Sequence, residues 1–322
     1  MTSYSKYSFK TNFLLRNKYI QTTLGSLIPG NTDLPERKLH KVLVDKRTKL
    51  ILFELSSNNR DAPIVLLAHG MGGCSESGYM LRIARKLWIR GLTVFMMNQR
   101  GSGLGVGLSD RLWNGGSSDD LDAVVKFISK VYPRNLIYIV GFSLSGNILL
   151  KYLGEKGVRT SKVRKAFVIN PPIDLKRASH ILSKNKEGAL FNNHYMRQIH
   201  TQVEAMVECF PDAFAPPVKA ETILEFDELY TAPAAGYKNV DEYYADCSAK
   251  EYLEEINIPT TILCAVDDPF VETSIFKSVR MSSSIELNTP DFGGHMGYLS
   301  SRLGPLGDYR WMDFMICDWS DD

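Results

Sequence analysis

Ser143 has the setting of a nucleophile. The run Leu136-Ile137-Tyr138-Ile139-Val140-Gly141-Phe142-Ser143-Leu144-Ser145-Gly146-Asn147 reads as strand, sharp turn, helix. A serine on such a turn is forced into a strained backbone conformation, and its hydroxyl stands clear of the sheet edge at the N-terminus of the next helix. Strand and helix backbones approach closely there, so small residues are needed two places before and two places after the serine. Gly141 meets the first need; Ser145 holds the second place, with Gly146 directly behind it. The alternative is that Ser143 only caps a helix, a position serine favours.

Acyl chemistry at Ser143 needs two donors about 2.7–3.1 Å from a developing oxyanion. One is the backbone N–H of Leu144, the residue after the nucleophile. The other comes from an earlier strand-to-helix loop. His69-Gly70-Met71-Gly72-Gly73 follows the apolar run Ile64-Val65-Leu66-Leu67-Ala68 and can present the Met71 N–H. A phosphate cradle is the rival use of such a loop, but the glycine spacing gives neither a P-loop nor a dinucleotide fingerprint. His69 itself reads as a ring packed behind the loop.

A general base is expected after the last strand, and an orienting acid at the end of the strand before it. Phe292-Gly293-Gly294-His295-Met296-Gly297 offers His295. Cys264-Ala265-Val266-Asp267-Asp268-Pro269-Phe270-Val271 offers two adjacent acids. Asp268, followed by Pro and two apolar residues, better fits the turn; Asp267 is the competing choice, or a holder of backbone N–H groups. The bland alternatives are a solvated acidic loop and a packed surface histidine. His40, His180, His194 and His200 are expected to be exposed, and His180 and His194 have no metal-ligand spacing.

The elements that must position these residues alternate. Strands are expected at Lys41–Val44, Leu50–Leu55, Ile64–Ala68, Leu92–Met97, Leu136–Val140 and Ala166–Ile169, with helices over 76–90, 118–131 and 145–153 between the later ones. Short, wholly apolar runs fit strands covered on both faces, and the alternation is that of βαβ units with a parallel sheet. The rhythm stops at 173–257, where helices are expected around Leu175–Leu182, His194–Cys209 and Thr222–Leu229. It resumes at Thr260–Val266, Glu286-Leu287 and a closing helix around Tyr309–Asp318. The expected organisation is one α/β domain over 1–322: an irregular arm at 1–37 with one short helix, a core at 38–172 and 258–322, and a helical cap at 173–257. Phe191, Tyr195, Met196, Met206, Phe210 and Phe214 either wall an acyl pocket or simply pack the cap.

Taken in order, these segments resemble the α/β-hydrolase superfamily, and within it the YheT-like esterase family. The resemblance also rests on Asn17-Lys18-Tyr19-Ile20-Gln21-Thr22, Asn98-Gln99-Arg100-Gly101-Ser102-Gly103, Phe226-Asp227-Glu228-Leu229-Tyr230-Thr231-Ala232-Pro233 and Tyr243-Tyr244-Ala245-Asp246-Cys247-Ser248. It covers most of the chain. Tyr19 stands where the family carries His, Ser145 where the elbow carries Gly, and Asn114 where the family tends to carry His. The resemblance implies an α/β-hydrolase fold, with a mostly parallel eight-stranded sheet flanked by helices and an inserted helical cap. It implies Ser143, Asp268 and His295 as nucleophile, acid and base of a carboxylesterase- or lipase-type serine hydrolase. Short- to medium-chain acyl esters, acylglycerols among them, are the substrate class. The alternatives are acyl transfer to an alcohol, or a non-catalytic member of the fold.

Composition narrows the partners. The 322 residues are 44% apolar and 23% charged, with 38 Lys and Arg against 36 Asp and Glu. That balance argues against a broad nucleic-acid face and suits an uncharged or weakly charged ester. Five cysteines (Cys74, Cys209, Cys247, Cys264 and Cys317) at scattered spacings fit neither a disulfide framework nor a zinc site, so a cytoplasmic protein with reduced thiols is expected. Residues 1–17 lack the apolar stretch of a secretory signal, and no run reaches the ~18–20 apolar residues of a membrane span. Peripheral membrane contact stays open. Neither a metal nor an organic cofactor is required by the chemistry read above.

Overall fold

A computed structural model describes residues 7–28, 30–155, 162–184 and 188–321, without the side chain of Leu190. Residues 1–6 and Pro29 of the arm, and 185–187 of the expected cap, lie outside the described residues.

Eight strands form one sheet: β1 (Lys38–Asp45), β2 (Thr48–Leu55), β3 (Ile64–Ala68), β4 (Thr93–Asn98), β5 (Ile137–Phe142), β6 (Val163–Ile169), β7 (Thr260–Leu263) and β8 (Ile285–Asn288). Their order is β1-β2-β4-β3-β5-β6-β7-β8. β1 pairs antiparallel with β2 and β2 antiparallel with β4; every other pairing is parallel.

The apolar runs are continuous because both faces of the sheet are covered. Ile64, Leu66 and Ala68 of β3 point into a core with Leu121, Val124, Val125 and Ile128 of helix α3 (Ser118–Val131) and Leu149, Leu150 and Leu153 of α4 (Leu144–Gly154). Val65 and Leu67 point the other way. They meet Met80, Ile83, Ala84 and Leu87 of α2 (Gly78–Ile89) and Met312, Met315 and Ile316 of α10 (Trp311–Asp321). A strand's period of two and a helix's period of 3.6 are thus read from the same two layers.

Between β6 and β7 lie helices α5 (Leu175–Lys184), α6 (Ala189–Cys209), α7 (Ile223–Phe226), α8 (Ala232–Ala234) and α9 (Val240–Cys247), with a π-helical turn at Asp227–Thr231 joining α7 to α8. They keep a core of their own, in which Met196, Ile199, Val203 and Met206 of α6 pack on Ile223, Phe226 and Tyr230. Helix α9 was not among the expected elements, although its start carries a local signal. Asn239 caps it by accepting from the Glu242 N–H, and an Asn followed three places later by Glu is such a start.

Near the arm, α1 (Lys18–Leu27) begins on Asn17, whose side chain accepts from the N–H groups of Tyr19 and Ile20. β7 ends at Leu263, short of the expected Val266. Its neighbour β6 stops at Ile169, and Asn170 turns away at φ 45°. Among the described residues, no helix is long and apolar enough to cross a membrane.

Candidate active site

Ser143 joins β5 to α4 with φ 51° and ψ −120°, a region that costs a non-glycine residue of order 1–3 kcal/mol and persists only under surrounding constraint. The constraint is visible. The Ser143 N–H donates to Ile169 O at 2.8 Å, and the Ser143 carbonyl accepts from the Gly146 N–H at 2.8 Å. A side chain cannot fit at Gly141, where a Cβ would lie 2.8 Å from Ser145 O, nor at Gly146. A Cβ there would lie 2.8 Å from Val168 Cγ1 on β6. This explains how Ser145 is accommodated one place earlier. Its buried hydroxyl donates to the His69 carbonyl and accepts from Gln99 Nε2, tying the turn to the loops after β3 and β4.

His69 sits behind the loop, fully buried. Its Nδ1–H donates to the Gly70 carbonyl at 2.8 Å, and Nε2 accepts from the Gln99 N–H at 3.1 Å. Those partners fix a neutral tautomer, and burial pushes its pKa down to about 4. In the same loop the Gly70 N–H donates to Tyr79 Oη and the Gly73 N–H to the Gly70 carbonyl. The N–H groups of Met71 and Leu144 have no partner among the described residues, and both residues line the cavity above Ser143.

His295 reaches Ser143 from the loop after β8. Its Nε2 lies 2.8 Å from Ser143 Oγ and its Nδ1 2.8 Å from Asp268 Oδ2. A carboxylate can only accept, so Nδ1 carries the proton and Nε2 is left to accept from the serine hydroxyl. Asp268 is saturated with donors: Oδ1 accepts from the Phe270 and Val271 N–H groups, and Oδ2 from His295 and from Asn170 Nδ2 at 2.5 Å. Asn170 Oδ1 accepts in turn from Tyr298 Oη. Asp267 faces elsewhere. Its Oδ1 accepts from the Gly294 N–H at 2.8 Å, Oδ2 is buried without a partner among the described residues, and burial raises its pKa, with the neighbouring Asp268 charge adding to the effect.

The histidine loop is seated on α1. Thr22 Oγ1 accepts from the His295 N–H at 2.9 Å and donates to the Lys18 carbonyl. Gln21 accepts from the Leu299 N–H and donates to the Leu299 carbonyl. Gly294, at φ +55°, passes so close that a Cβ would fall 2.5 Å from Lys18 O. Sequence reading registered Gln21 and Thr22 only as part of a resemblance; their use depends on partners more than 270 residues away. Asn170 also went unremarked, and nothing local to Asn170-Pro171-Pro172 announces its contact with Asp268.

Over Ser143 opens a cavity of roughly 950 Å³, counting space open to solvent at its mouth. Leu175, Leu182, Ile199, Ile223 and Phe226 supply its apolar wall. Of the six cap side chains singled out above, Tyr195 alone lines it. Phe191 packs edge-on against Phe270, Met196 and Met206 belong to the cap's own core, Phe214 stacks on Tyr230, and Phe210 lies under Arg47. The histidines expected to be exposed are also corrected. Only His194 is exposed; His180 and His200 are half-buried, and His40 Nε2 pairs with the buried Glu54 at 2.6 Å.

The α/β hydrolase fold family matches residues 63–299, and the chain belongs to it. Among its relatives, a monoacylglycerol lipase of Saccharomyces cerevisiae is 29% identical over 274 residues, covering 81% of this chain and 59% of the relative. The phospholipase ABHD3 of Homo sapiens is 27% identical, covering 74% and 59%. The YheT protein of Escherichia coli strain K12 is 26% identical, covering 80% and 76%. The chain thus spans about three fifths of the length of the yeast and human relatives.

Proposed function

We propose that this chain is a serine hydrolase that cleaves carboxylic esters, of short- to medium-chain acids and of acylglycerols, through an acyl-enzyme. The carrying observation is the unbroken relay of Ser143 Oγ, His295 and Asp268, each link 2.8 Å, opening into a largely apolar cavity. The names of the yeast and human relatives, a lipase and a phospholipase, support ester chemistry.

In this reading Ser143 Oγ attacks the acyl carbonyl while His295 Nε2 takes its proton. Asp268 holds the imidazole with Nδ1–H toward itself and stabilises the imidazolium that forms. The unpaired N–H groups of Met71 and Leu144 receive the oxyanion, sparing it the reorganisation that water would need. His295 then gives the proton to the departing alcohol. Water, activated by the same ring, cleaves the acyl-enzyme. Residues 173–257 act as a cap over a core of 38–172 and 258–322 and shape the acyl pocket.

Replacing Ser143 by Ala is expected to abolish turnover of a p-nitrophenyl acyl ester and labelling by a fluorophosphonate probe, with the thermal midpoint retained. Undiminished turnover in that variant overturns the assignment.

A further inference from the structure

The cavity that holds Ser143 and His295 has one carboxylate, Asp227, and no Lys or Arg among its described lining residues. Its position comes from the π-helical turn Asp227–Thr231. A π-turn widens the helix by one residue and re-aims the side chains that follow, and such turns concentrate at functional sites. The carboxylate is held from behind. Tyr244 Oη donates to Oδ2 at 2.9 Å, and the Thr231 side chain adds a second hydrogen bond. Two donors leave part of a carboxylate's four lone-pair positions unused. Burial in this apolar wall raises its pKa to about 6.

Asn114 lines the same cavity. Its Oδ1 is taken by the Gly116 N–H within its own turn at 2.8 Å, which leaves its Nδ2 group as the donor. The cavity therefore offers an acceptor with lone pairs to spare and an amide donor with no partner among the described residues, in a wall that includes Leu175, Ile223 and Phe226.

We propose that Asp227 is a substrate-binding residue that selects uncharged esters bearing a free hydroxyl and rejects esters bearing a phosphate. A hydroxyl can donate to an open lone pair of Asp227 without bringing charge into the cavity. A phosphate has no cation to meet and brings its charge toward a carboxylate in a medium of low dielectric. The inference rests on the ester-cleaving reading of Ser143. The selecting hydroxyl belongs either to the alcohol portion or to the acyl chain, and the test separates the two.

The purified chain is assayed for kcat/KM on ethyl octanoate, 2-hydroxyethyl octanoate, ethyl 8-hydroxyoctanoate and 2-phosphoethyl octanoate. One hydroxylated ester is expected to exceed ethyl octanoate by about tenfold or more, because a site built to hydrogen-bond a hydroxyl penalises its absence. Whichever it is, the alcohol-side or the acyl-side compound, locates the group. The phosphate ester is expected to fall below the hydroxylated one by a similar factor. In Asp227→Asn and Asp227→Leu the hydroxyl preference is expected to shrink to about threefold or less, mainly through KM. Equal wild-type rates on the hydroxylated and parent esters, a preference for the phosphate ester, or a preference that survives both substitutions overturns the proposal while leaving ester cleavage standing. Absence of cleavage of every ester, together with no fluorophosphonate labelling of Ser143, overturns both.

Discussion

Asp268→Asn changes one oxygen to an NH₂ group and leaves the volume of the side chain nearly unaltered, yet the four bonds made by Asp268 force a choice on the amide. If its NH₂ faces the Phe270 and Val271 N–H groups, two buried donors lose their acceptor, at about 1–3 kcal/mol each. If it faces Asn170 and His295, the backbone keeps its acceptor. Asn170 then loses one of two acceptors and keeps the Gly294 carbonyl at 3.3 Å. The second arrangement costs about half as much and should prevail. It presents a donor to His295 Nδ1, which shifts the ring proton to Nε2 and points a donor at Ser143 Oγ. A ring in that tautomer cannot take the serine proton, and the loss in kcat is about 10⁴, or about 5 kcal/mol of barrier. Asp267→Asn is the internal control. Its amide oxygen still accepts from Gly294, and the oxygen it replaces is buried without a partner among the described residues. A neutral group is cheaper than a carboxylate there, so turnover should stay within about threefold and stability should hold or rise. The assay is kcat on a p-nitrophenyl acyl ester beside the thermal midpoint of each variant. An Asp268→Asn variant within tenfold of wild type, or an Asp267→Asn variant as impaired, would refute the reasoning.

Two further outcomes follow from the neighbourhood of the relay. Thr22→Val removes the acceptor of the buried His295 N–H and should lower stability by about 1–3 kcal/mol. It should also cut kcat with little change in KM; Thr22→Ser should restore both, and a fall in KM affinity alone would contradict a positioning role. His69 is neutral in the fold with a pKa pushed down to about 4, against an ordinary value near 6.5. Because the folded value is the lower one, its share of stability is fully present above about pH 6.5 and drains away as pH falls toward about 4, by about 3 kcal/mol in all. Denaturant midpoints between pH 7 and 4, with the imidazole followed by NMR, check this; a His69 resonance titrating near pH 6.5 would contradict it.

The layered α/β arrangement was legible because its strands are wrapped on both faces. A run such as Ile64-Val65-Leu66-Leu67-Ala68 has no polar face to expose, and the structure gives its alternate residues to opposite cores. Ser143 stood out because the strand-turn-helix that bears it is one contiguous segment. Asp267 and Asp268 could not be ranked firmly by sequence, since adjacent acids differ only in which way the turn aims them. The identity of the cavity wall was hidden for a related reason. Helix α6 carries Tyr195 and Ile199 toward the cavity while Met196 and Met206 turn into the cap, and aromatic content alone does not reveal that division. Asn170, Gln21 and Thr22 were illegible as supports because their partners lie far along the chain.

The seat of His295 on α1 has a consequence for timing. During synthesis the chain emerges N-terminus first, so Gln21 and Thr22 are made more than 270 residues before the histidine and Leu299 that they hold. Until then the helix has no loop to grip, and Ser143, though already on its turn, lacks its hydrogen bond to His295. Contacts of such long sequence separation form late and slowly. In the proposed reading the relay is therefore completed only by a long-range docking event, when α1 receives the loop before α10.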